Sequence, residues 1–464
     1  MIREQYDVDP FQLRILNDLN KYLDKPLPIV DERGLPSIGV KIEDNKVICL
    51  WLDRCGLTKF PESILELDTL QELHLGHNLL PHIPQTINNL HSLVKLNLRW
   101  NFINNLPDTF GEINSLEVLD LDTNKLMDLP DSIGNLSSLR ELVLRNNQFE
   151  TLPDSFGKLN SVEELYLSKN KMKEFPEVIC NLKMIKGLYL DYNNLTSLPE
   201  TLGNLQSLQV LSLSGNSLTS IPQEIIKPIF NLKLLRVLDF SHNQLKSLPD
   251  TIGNLTKLKT LRLRANQLET LPQTFGQLKS LEALDISKNK FKELPESIFR
   301  LPELKRLFAE GNKLTKIPES FSQLKSLEQI YFEDNHIKSI PKSFGNLINL
   351  EQIFFVGNQL STLPESMSKL KSLKILDLRN NQLTSLPESI GTLEALEELD
   401  LRDNQFITIP TIIWKLSNIR QYFLKLDGNP FNVQSARMIS KDVKTIREFL
   451  KSKEKLKNLM QKEK

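Results

Sequence analysis

The chain has 464 residues, and its 58 Lys and Arg residues are matched by 58 Asp and Glu, so its formal net charge is zero. Nucleic-acid grooves and binders of acidic membranes usually carry a basic excess, which this composition lacks. Three scattered cysteines, no apolar leader in the first seven residues and no run near 18 apolar residues predict a soluble, cytoplasmic protein without a membrane span.

The first 46 residues lack the pattern that fills most of the chain. Asp9 before Pro10 is typical of a helix start, and apolar residues then recur at helical spacing until Pro26. Two apolar segments, 40–42 and 47–50, flank polar residues and predict a β-hairpin. We interpret residues 1–46 as an N-terminal helix and hairpin cap, with a separate binding module as the alternative.

Residues 47–429 repeat a 23-residue unit with the consensus LxxLxLxxNxLxxLPxxIGxLxx. Its single Asn recurs every 23 residues from Asn78, except for a step of 27 before Asn243 and one of 25 before Asn429, and Cys55 takes its place in the first unit. A period this strict predicts a solenoid of about 17 stacked coils.

The residue choices within a unit follow from that architecture. Alternation sends Leu376 and Leu378 inward and Asp377 outward, which predicts a short strand in a parallel sheet with one solvated face. A buried Asn such as Asn381 can satisfy backbone groups with both its carbonyl and its NH2. The Pro of each LPxx segment, such as Pro387, leaves room only for a short 3₁₀ or helical turn after it.

Two stretches depart from the repeat. The four extra residues of the 27-residue unit fall within residues 222–232 and predict a lengthened helical turn, with a binding site as the alternative. Residues 430–464 predict a C-terminal helical cap, with an amphipathic helix over 435–457, and a basic tail. A solvated end is the simplest interpretation of the tail, and a membrane or nucleic-acid contact is the alternative.

Residues 116–139 match LxxLxLxxNxLxxLPxxIGNLxxL at every fixed position, and residues 258–281 match it except at Phe275 and Gln277. This pattern resembles the leucine-rich repeat, and in particular the intracellular Ras-group class of Ras-suppressor-like and scribble-like scaffolds. We therefore expect an α/β leucine-rich-repeat solenoid: a curved arch with a parallel β-sheet on its concave face, short 3₁₀ and helical turns on its convex face, and helical caps at both ends.

Aromatic side chains occupy consecutive outward positions of the expected sheet. They form two groups: Phe308, Tyr331 and Phe354 in three units, and Tyr166 and Tyr189, with Tyr192 nearby, in two. Strands about 4.8 Å apart let such rings stack, so a ladder that only stabilises the sheet is one interpretation. Exposed aromatics are also typical of binding hot spots, which is the other.

Charged residues share these outward positions. Arg262, Arg264 and Arg306 form a candidate basic patch for an acidic partner, although Asp239 and Asp285 suggest cross-strand pairs instead. The sequence contains no GxxxxGK[ST], HExxH, CxxC or GxSxG motif, so we expect neither enzymatic activity nor a cofactor. One hypothesis is a metal site formed by Cys49, Glu72 and His74, with His77 nearby; solvated polar surface is the alternative.

The sequence predicts a non-enzymatic interaction scaffold or adaptor, monomeric by itself, whose concave face binds a globular protein and no nucleic acid. The Ras-group resemblance implies a small GTPase, or a kinase or phosphatase acting with one, as the partner. Alternatives are a recognition or sensor protein in defence or host interaction, and a binder of carbohydrate or another small ligand. The predicted partner-binding residues are Phe308, Tyr331, Phe354, Tyr166, Tyr189, Tyr192, Arg262 and Arg264.

Overall fold

A computed structural model describes residues 8–23, 26–30, 37–219, 232–420 and 422–462. The chain divides into two compact units, Met1–Leu235 and Arg236–Lys464, which are described separately below as unit 1 and unit 2. The lengthened turn predicted within residues 222–232 falls on 222–231, which lie outside the described residues.

Unit 1 begins with helix α1, Pro10–Leu19, followed by a 3₁₀ turn, Asn20–Tyr22. The Asp9 carboxylate accepts hydrogen bonds from the backbone N–H groups of Phe11 and Gln12, which confirms the predicted N-cap. Gln12 ties the helix to the next element, because its Oε1 accepts from the backbone N–H of Val47 at 2.7 Å. The predicted hairpin is also confirmed: β1, Ile38–Glu43, pairs antiparallel with β2, Lys46–Leu52.

β2 is also the first strand of the parallel sheet of unit 1. Each later strand follows at the repeat interval and pairs with the one before it, so chain order and spatial order coincide. The strands after β2 are β3 Glu72–His74, β4 Lys95–Asn97, β5 Val118–Asp120, β6 Glu141–Val143, β7 Glu164–Tyr166, β8 Gly187–Tyr189 and β9 Val210–Ser212.

Unit 2 contains a parallel sheet of the same kind. Its strands are β10 Val237–Asp239, β11 Thr260–Arg262, β12 Ala283–Asp285, β13 Arg306–Phe308, β14 Gln329–Tyr331, β15 Gln352–Phe354, β16 Ile375–Asp377, β17 Glu398–Asp400 and β18 Leu424–Lys425. Both units therefore have the α/β solenoid architecture that the repeat predicts, with a parallel strand and a 3₁₀ turn in successive coils.

The 3₁₀ turns begin directly after the Pro of the LPxx segment, as expected from its fixed φ and missing N–H. In unit 1 they are Glu62–Glu66, Gln85–Asn89, Asp108–Glu112, Asp131–Asn135, Asp154–Lys158, Glu177–Asn181 and Glu200–Asn204. In unit 2 they are Asp250–Asn254, Gln273–Gln277, Glu296–Arg300, Glu319–Gln323, Lys342–Asn346, Glu365–Lys369, Glu388–Thr392 and Thr411–Lys415.

The C-terminal segment forms two helices, α2 Val433–Met438 and α3 Val443–Lys462, so the prediction of one helix over 435–457 is wrong. The break arises at Asp442, which caps the second helix by accepting the Thr445 backbone N–H at 2.8 Å. Ile446 and Leu450 on α3 are buried, as expected for the apolar face of an amphipathic helix, and the Arg447 guanidinium donates to the carbonyl of Ile419 at 3.2 Å. The helix thus covers the last coil.

The repeated Asn is buried and joins each coil to its neighbour. In Asn266, the side-chain NH2 donates to the carbonyls of Phe240 at 2.8 Å and Leu263 at 3.1 Å, while Oδ1 accepts from the Leu245 N–H at 2.9 Å. The same pattern recurs at Asn101 and Asn358, among others. The predicted role of the amide in satisfying backbone groups is confirmed.

The residue before each repeated Asn, or before Cys55, has a left-handed backbone, with φ between 51° and 74°. This conformation lets the N–H of that residue donate to a carbonyl of the next coil, as Thr123 does to the Arg145 carbonyl at 2.9 Å.

The Gly of the IGxL segment has a different role. A Cβ at Gly111 would lie 2.0 Å from the Ser132 carbonyl oxygen, so that glycine is needed for close packing.

We expect Asn266→Ala to lower the free energy of unfolding by about 1–3 kcal/mol, because three buried backbone groups lose their partner. Urea denaturation measures this change. Asn254→Ala removes the same amide from an exposed turn position, where a change below about 0.5 kcal/mol is expected. Equal stability of the two variants would contradict a stabilising role for the hydrogen bonds of the repeated Asn.

Candidate functional site

Equivalent positions align across each sheet because neighbouring strands pair without a register shift. We call the middle outward position of the strands the central column. In unit 1 it contains Trp51, His74, Asn97, Asp120, Val143, Tyr166, Tyr189 and Ser212. In unit 2 it contains Asp239, Arg262, Asp285, Phe308, Tyr331, Phe354, Asp377, Asp400 and Lys425.

Phe308, Tyr331 and Phe354 form one continuous stack, here called the unit-2 stack. The centroids of the first two rings are 4.5 Å apart at an interplanar angle of 13°, and those of the second pair are 4.8 Å apart at 7°. All three side chains are half-buried, so part of each ring faces solvent. The sequence prediction of adjacent rings is confirmed, although stacking alone does not separate a binding surface from a structural ladder.

Two buried phenylalanines directly follow the last two strands of this stack. Phe332 and Phe355 are fully buried, with centroids 5.7 Å apart, and Phe321 packs against Phe332 at the same distance. The Tyr331 hydroxyl is also fixed, lying 3.4 Å from the side-chain oxygens of Gln329 and Gln352. The unit-2 stack is therefore a preorganised surface whose rings need little ordering when a partner binds.

Glu333 lies beside this stack, two residues after Tyr331. One of its carboxylate oxygens is buried and has no hydrogen-bond partner among the described residues. Burial, followed by the charges of Glu310 and Asp377, raises the pKa of Glu333 to about 7. Near neutral pH this carboxyl group is thus divided between its charged and neutral forms, next to the half-buried rings.

The predicted basic patch is largely neutralised. Arg262 lies 3.5 Å from the Asp239 carboxylate, and Arg264 pairs with Glu310. Arg306 is exposed and forms no ion pair within the described residues. The alternative interpretation, cross-strand pairs that keep the face soluble, therefore accounts for Arg262 and Arg264 better than an anion site does.

Tyr166 and Tyr189 form a second stack, here called the unit-1 stack, with centroids 4.5 Å apart at 11°. The Arg145 guanidinium lies 4.2 Å from the Tyr166 ring centroid and so covers the stack from one side. Burial raises the pKa of Tyr189 to about 12, with smaller contributions from Glu164 and Tyr166. Tyr192 does not join the stack; it has a left-handed backbone and lies against Gly215.

The residues of the metal hypothesis have other contacts. His74 is buried, stacks on Trp51 and lies 3.2 Å from the Glu72 carboxylate, while His77 stacks on Trp100. In the described parts of the chain, no group of three or more His, Cys, Asp or Glu side chains is arranged to hold a metal ion. Within those same residues, each helix is too short or too polar to span a lipid bilayer.

Family models match most of the repeated region. The model for a leucine-rich repeat region matches residues 118–248 and 216–353, and that for a leucine-rich repeat matches residues 357–406 and 371–431. None of the curated proteins matches the chain.

Solved structures of leucine-rich-repeat proteins resemble this chain over most of its length. A leucine-rich-repeat protein of Leptospira interrogans is 34% identical, with a TM-score of 0.73 over 84% of this chain and 92% of that one. The ectodomain of the Arabidopsis thaliana receptor kinase GASSHO1/SCHENGEN3, in complex with CASPARIAN STRIP INTEGRITY FACTOR 2, is 27% identical, with a TM-score of 0.68 over 91% of this chain and 56% of that one. An internalin of Listeria monocytogenes is 25% identical, with a TM-score of 0.59 over 68% and 87%.

Glu333→Gln should change how stability depends on pH. The folded-state pKa of about 7 exceeds the ordinary value of 4.5, so the folded chain retains a proton that the unfolded chain loses in this window. Unfolding free energy therefore falls as pH rises from about 4.5 to about 7. We expect the variant to be more stable than the wild type by about 1 kcal/mol near pH 8, and little different near pH 4. This figure allows for screening of a partly exposed group.

Thermal unfolding across this pH range measures the difference. Glu303→Gln, at an exposed position of the same unit, is the matched control and should leave the pH profile unchanged. A Glu333→Gln profile parallel to that of the wild type would contradict the assignment.

Proposed function

This chain belongs to the leucine-rich-repeat family, and we propose that it is a non-enzymatic interaction scaffold or adaptor that binds a globular protein on the outward face of its sheet. The unit-2 stack carries the proposal. It places three large rings side by side on a solvated face, while Phe332 and Phe355, which follow two of these rings in sequence, are fully buried in the core. Binding energy at protein interfaces concentrates on such rigid aromatic anchors.

The energetics favour a role beyond folding. A stacked aromatic pair contributes about 0.5–1.5 kcal/mol beyond the burial of its area. The other coils of unit 2 keep the same strand geometry with a charged residue in the central column, as at Asp285 and Asp377. Aromatic side chains are thus dispensable for forming a strand of this repeat, and three in succession are better explained by a partner that covers them.

The partner class follows from the sequence class. The repeat consensus is similar to that of the Ras-group class, which supports a small GTPase, or a kinase or phosphatase acting with one. We also propose a cytoplasmic location. It is supported by the three cysteines Cys49, Cys55 and Cys180, which are all free thiols, as is usual in reducing compartments.

A second candidate is a recognition protein in defence or host interaction. The resemblances to the Listeria monocytogenes internalin and to the GASSHO1/SCHENGEN3 ectodomain bound to CASPARIAN STRIP INTEGRITY FACTOR 2 favour it. The occupant of the sheet face would then be an extracellular ligand rather than a signalling protein.

Site-specific photocrosslinking in native extract separates these candidates. A photoreactive residue at Gln329, beside the unit-2 stack, should capture the partner for identification by mass spectrometry. The same residue at Glu388, in an exposed 3₁₀ turn, is the control and should not capture it. A GTPase-linked protein would support the first candidate, and a host or secreted ligand the second. Capture only from position 388 would remove the sheet face as the site.

Replacing Phe308, Tyr331 and Phe354 together by Ser should weaken binding of that partner by roughly 2–4 kcal/mol, because the central anchors are lost. Titration calorimetry with the purified partner measures the loss. Unfolding in urea should show that the variant still folds cooperatively, since the rings are only half-buried and the fully buried leucine core is unchanged.

Thr260→Ala, at a half-buried outward position two coils before the unit-2 stack, is the control and should leave affinity unchanged. Full affinity of the triple variant together with a large loss of stability would identify the stack as a purely structural ladder.

A further inference from the structure

The outward face around the unit-1 stack has an unusual charge distribution. Across β5 to β9 the outward positions hold five carboxylates and a single guanidinium, that of Arg145. The carboxylates are those of Asp120, Asp122, Glu141, Glu164 and Asp191. We call these residues, together with Tyr166 and Tyr189, the acidic tyrosine face.

These carboxylates form no ion pair with the residues that the structure describes. Within the residues that the structure describes, none of the five lies within 4.0 Å of a Lys, Arg or His nitrogen. Their contacts are neutral instead: Asp191 accepts from the Ser168 hydroxyl at 3.0 Å, and Asp122 accepts from the Asn146 amide at 2.7 Å. Arg145 stacks on Tyr166 rather than pairing with a carboxylate.

Unit 2 shows that the repeat can pair acids at the same positions. In the central column, Asp377 lies 2.9 Å from Arg379, and Asp400 lies 2.6 Å from Arg402. Lys425 on β18 pairs with Glu398 at 2.6 Å. The unpaired acids of unit 1 are therefore not a general property of the sheet.

The arrangement also works against folding. Glu141 and Glu164 are direct neighbours on adjacent strands, where like charges are destabilising. Glu164 leans over Gly187, where a Cβ would lie 1.9 Å from its Oε2, and this buried oxygen has no hydrogen-bond partner among the described residues. Burial, then Glu141 and Glu163, raises the pKa of Glu164 above its ordinary value. A bound cation would relieve this repulsion.

We propose that the acidic tyrosine face docks a basic segment of a polypeptide partner, with Lys or Arg side chains lying along the tyrosine stack and their charges reaching Glu141 and Glu164. The methylene stem of such a side chain packs on apolar rings while its charged end stays at the carboxylates. This inference rests on the proposed interaction role but concerns a different part of the chain from the unit-2 stack.

Charge complementarity favours a basic segment over other ligands of the acidic tyrosine face. An acidic peptide would meet uncompensated carboxylates, and a purely apolar one would bury them without partners. A metal ion is disfavoured, because no cluster of three candidate ligands occurs in the described residues. The stacked rings add a flat apolar surface about two strands wide, which suits an extended basic segment better than an isolated small cation.

Fluorescence anisotropy of the full chain tests the inference, with labelled, end-capped decalysine as the probe at about 50 mM salt. Decalysine should bind, and the double variant Glu141→Gln/Glu164→Gln should weaken binding about tenfold. The matched control, Glu150→Gln/Glu174→Gln, removes two exposed carboxylates elsewhere in unit 1 and should change affinity less than about twofold. These substitutions keep the size and shape of the side chain while removing its charge, and thermal melts check that each variant folds.

Further arms of the experiment separate the alternatives. Decaglutamate should not bind, and spermine should compete only weakly because it cannot cover the rings. The proposal is overturned if decalysine does not bind, if both double variants lose affinity equally, or if spermine binds as tightly as decalysine. The Phe308, Tyr331 and Phe354 variant should bind decalysine normally. A negative decalysine result therefore leaves the proposed function intact. A negative result for the unit-2 stack leaves this inference intact.

Discussion

The side-chain amide of the repeated Asn is the interaction on which the rest of each unit depends. It donates to carbonyls of its own coil and to one of the preceding coil, as Asn381 does to Leu378 and Arg379 and to Phe355. Because these partners are fixed backbone groups, each coil can sit on its neighbour in only one register. The outward columns, and every ring stack within them, are a consequence of that register.

Much of the fold could be predicted because its determinants are residue types with narrow physical roles. The Asn ladder, the 3₁₀ turns after Pro and the Asp9 cap follow from hydrogen-bonding capacity and fixed φ. The left-handed residue before each Asn could not be predicted, since Trp100, Lys169 and Gly215 all occupy it. At this position the hydrogen bonds between coils outweigh the intrinsic backbone preference of the residue, so the residue type does not predict the left-handed conformation. The break between α2 and α3 was missed because an interior Asp caps one helix inside an apolar periodicity that spans both.

The candidate site divides in the same way. Register alone places Phe308 beside Tyr331 and Tyr166 beside Tyr189, so both stacks could be anticipated. A charged side chain at a solvated face can pair with several neighbours at similar energy. The sequence therefore does not predict which pairing forms. Arg145 stacks on the Tyr166 ring although acidic residues are near it in sequence, whereas Arg264 forms an ion pair with Glu310. The pKa of Glu333 likewise depends on burial that only packing reveals.

The two stacks show how one repeat can present different surfaces without changing its backbone. Their ring geometry is nearly the same, with centroid separations of 4.5 Å in both units. Their surroundings differ: the unit-2 stack has arginines already paired with acids and one carboxyl of raised pKa, whereas the unit-1 stack is bordered by unpaired carboxylates. Aromatic rings supply affinity with little selectivity, while charge around them favours one partner over another. Selectivity therefore resides in the outward charged positions, which can vary freely because the Asn ladder and the leucine core do not depend on them.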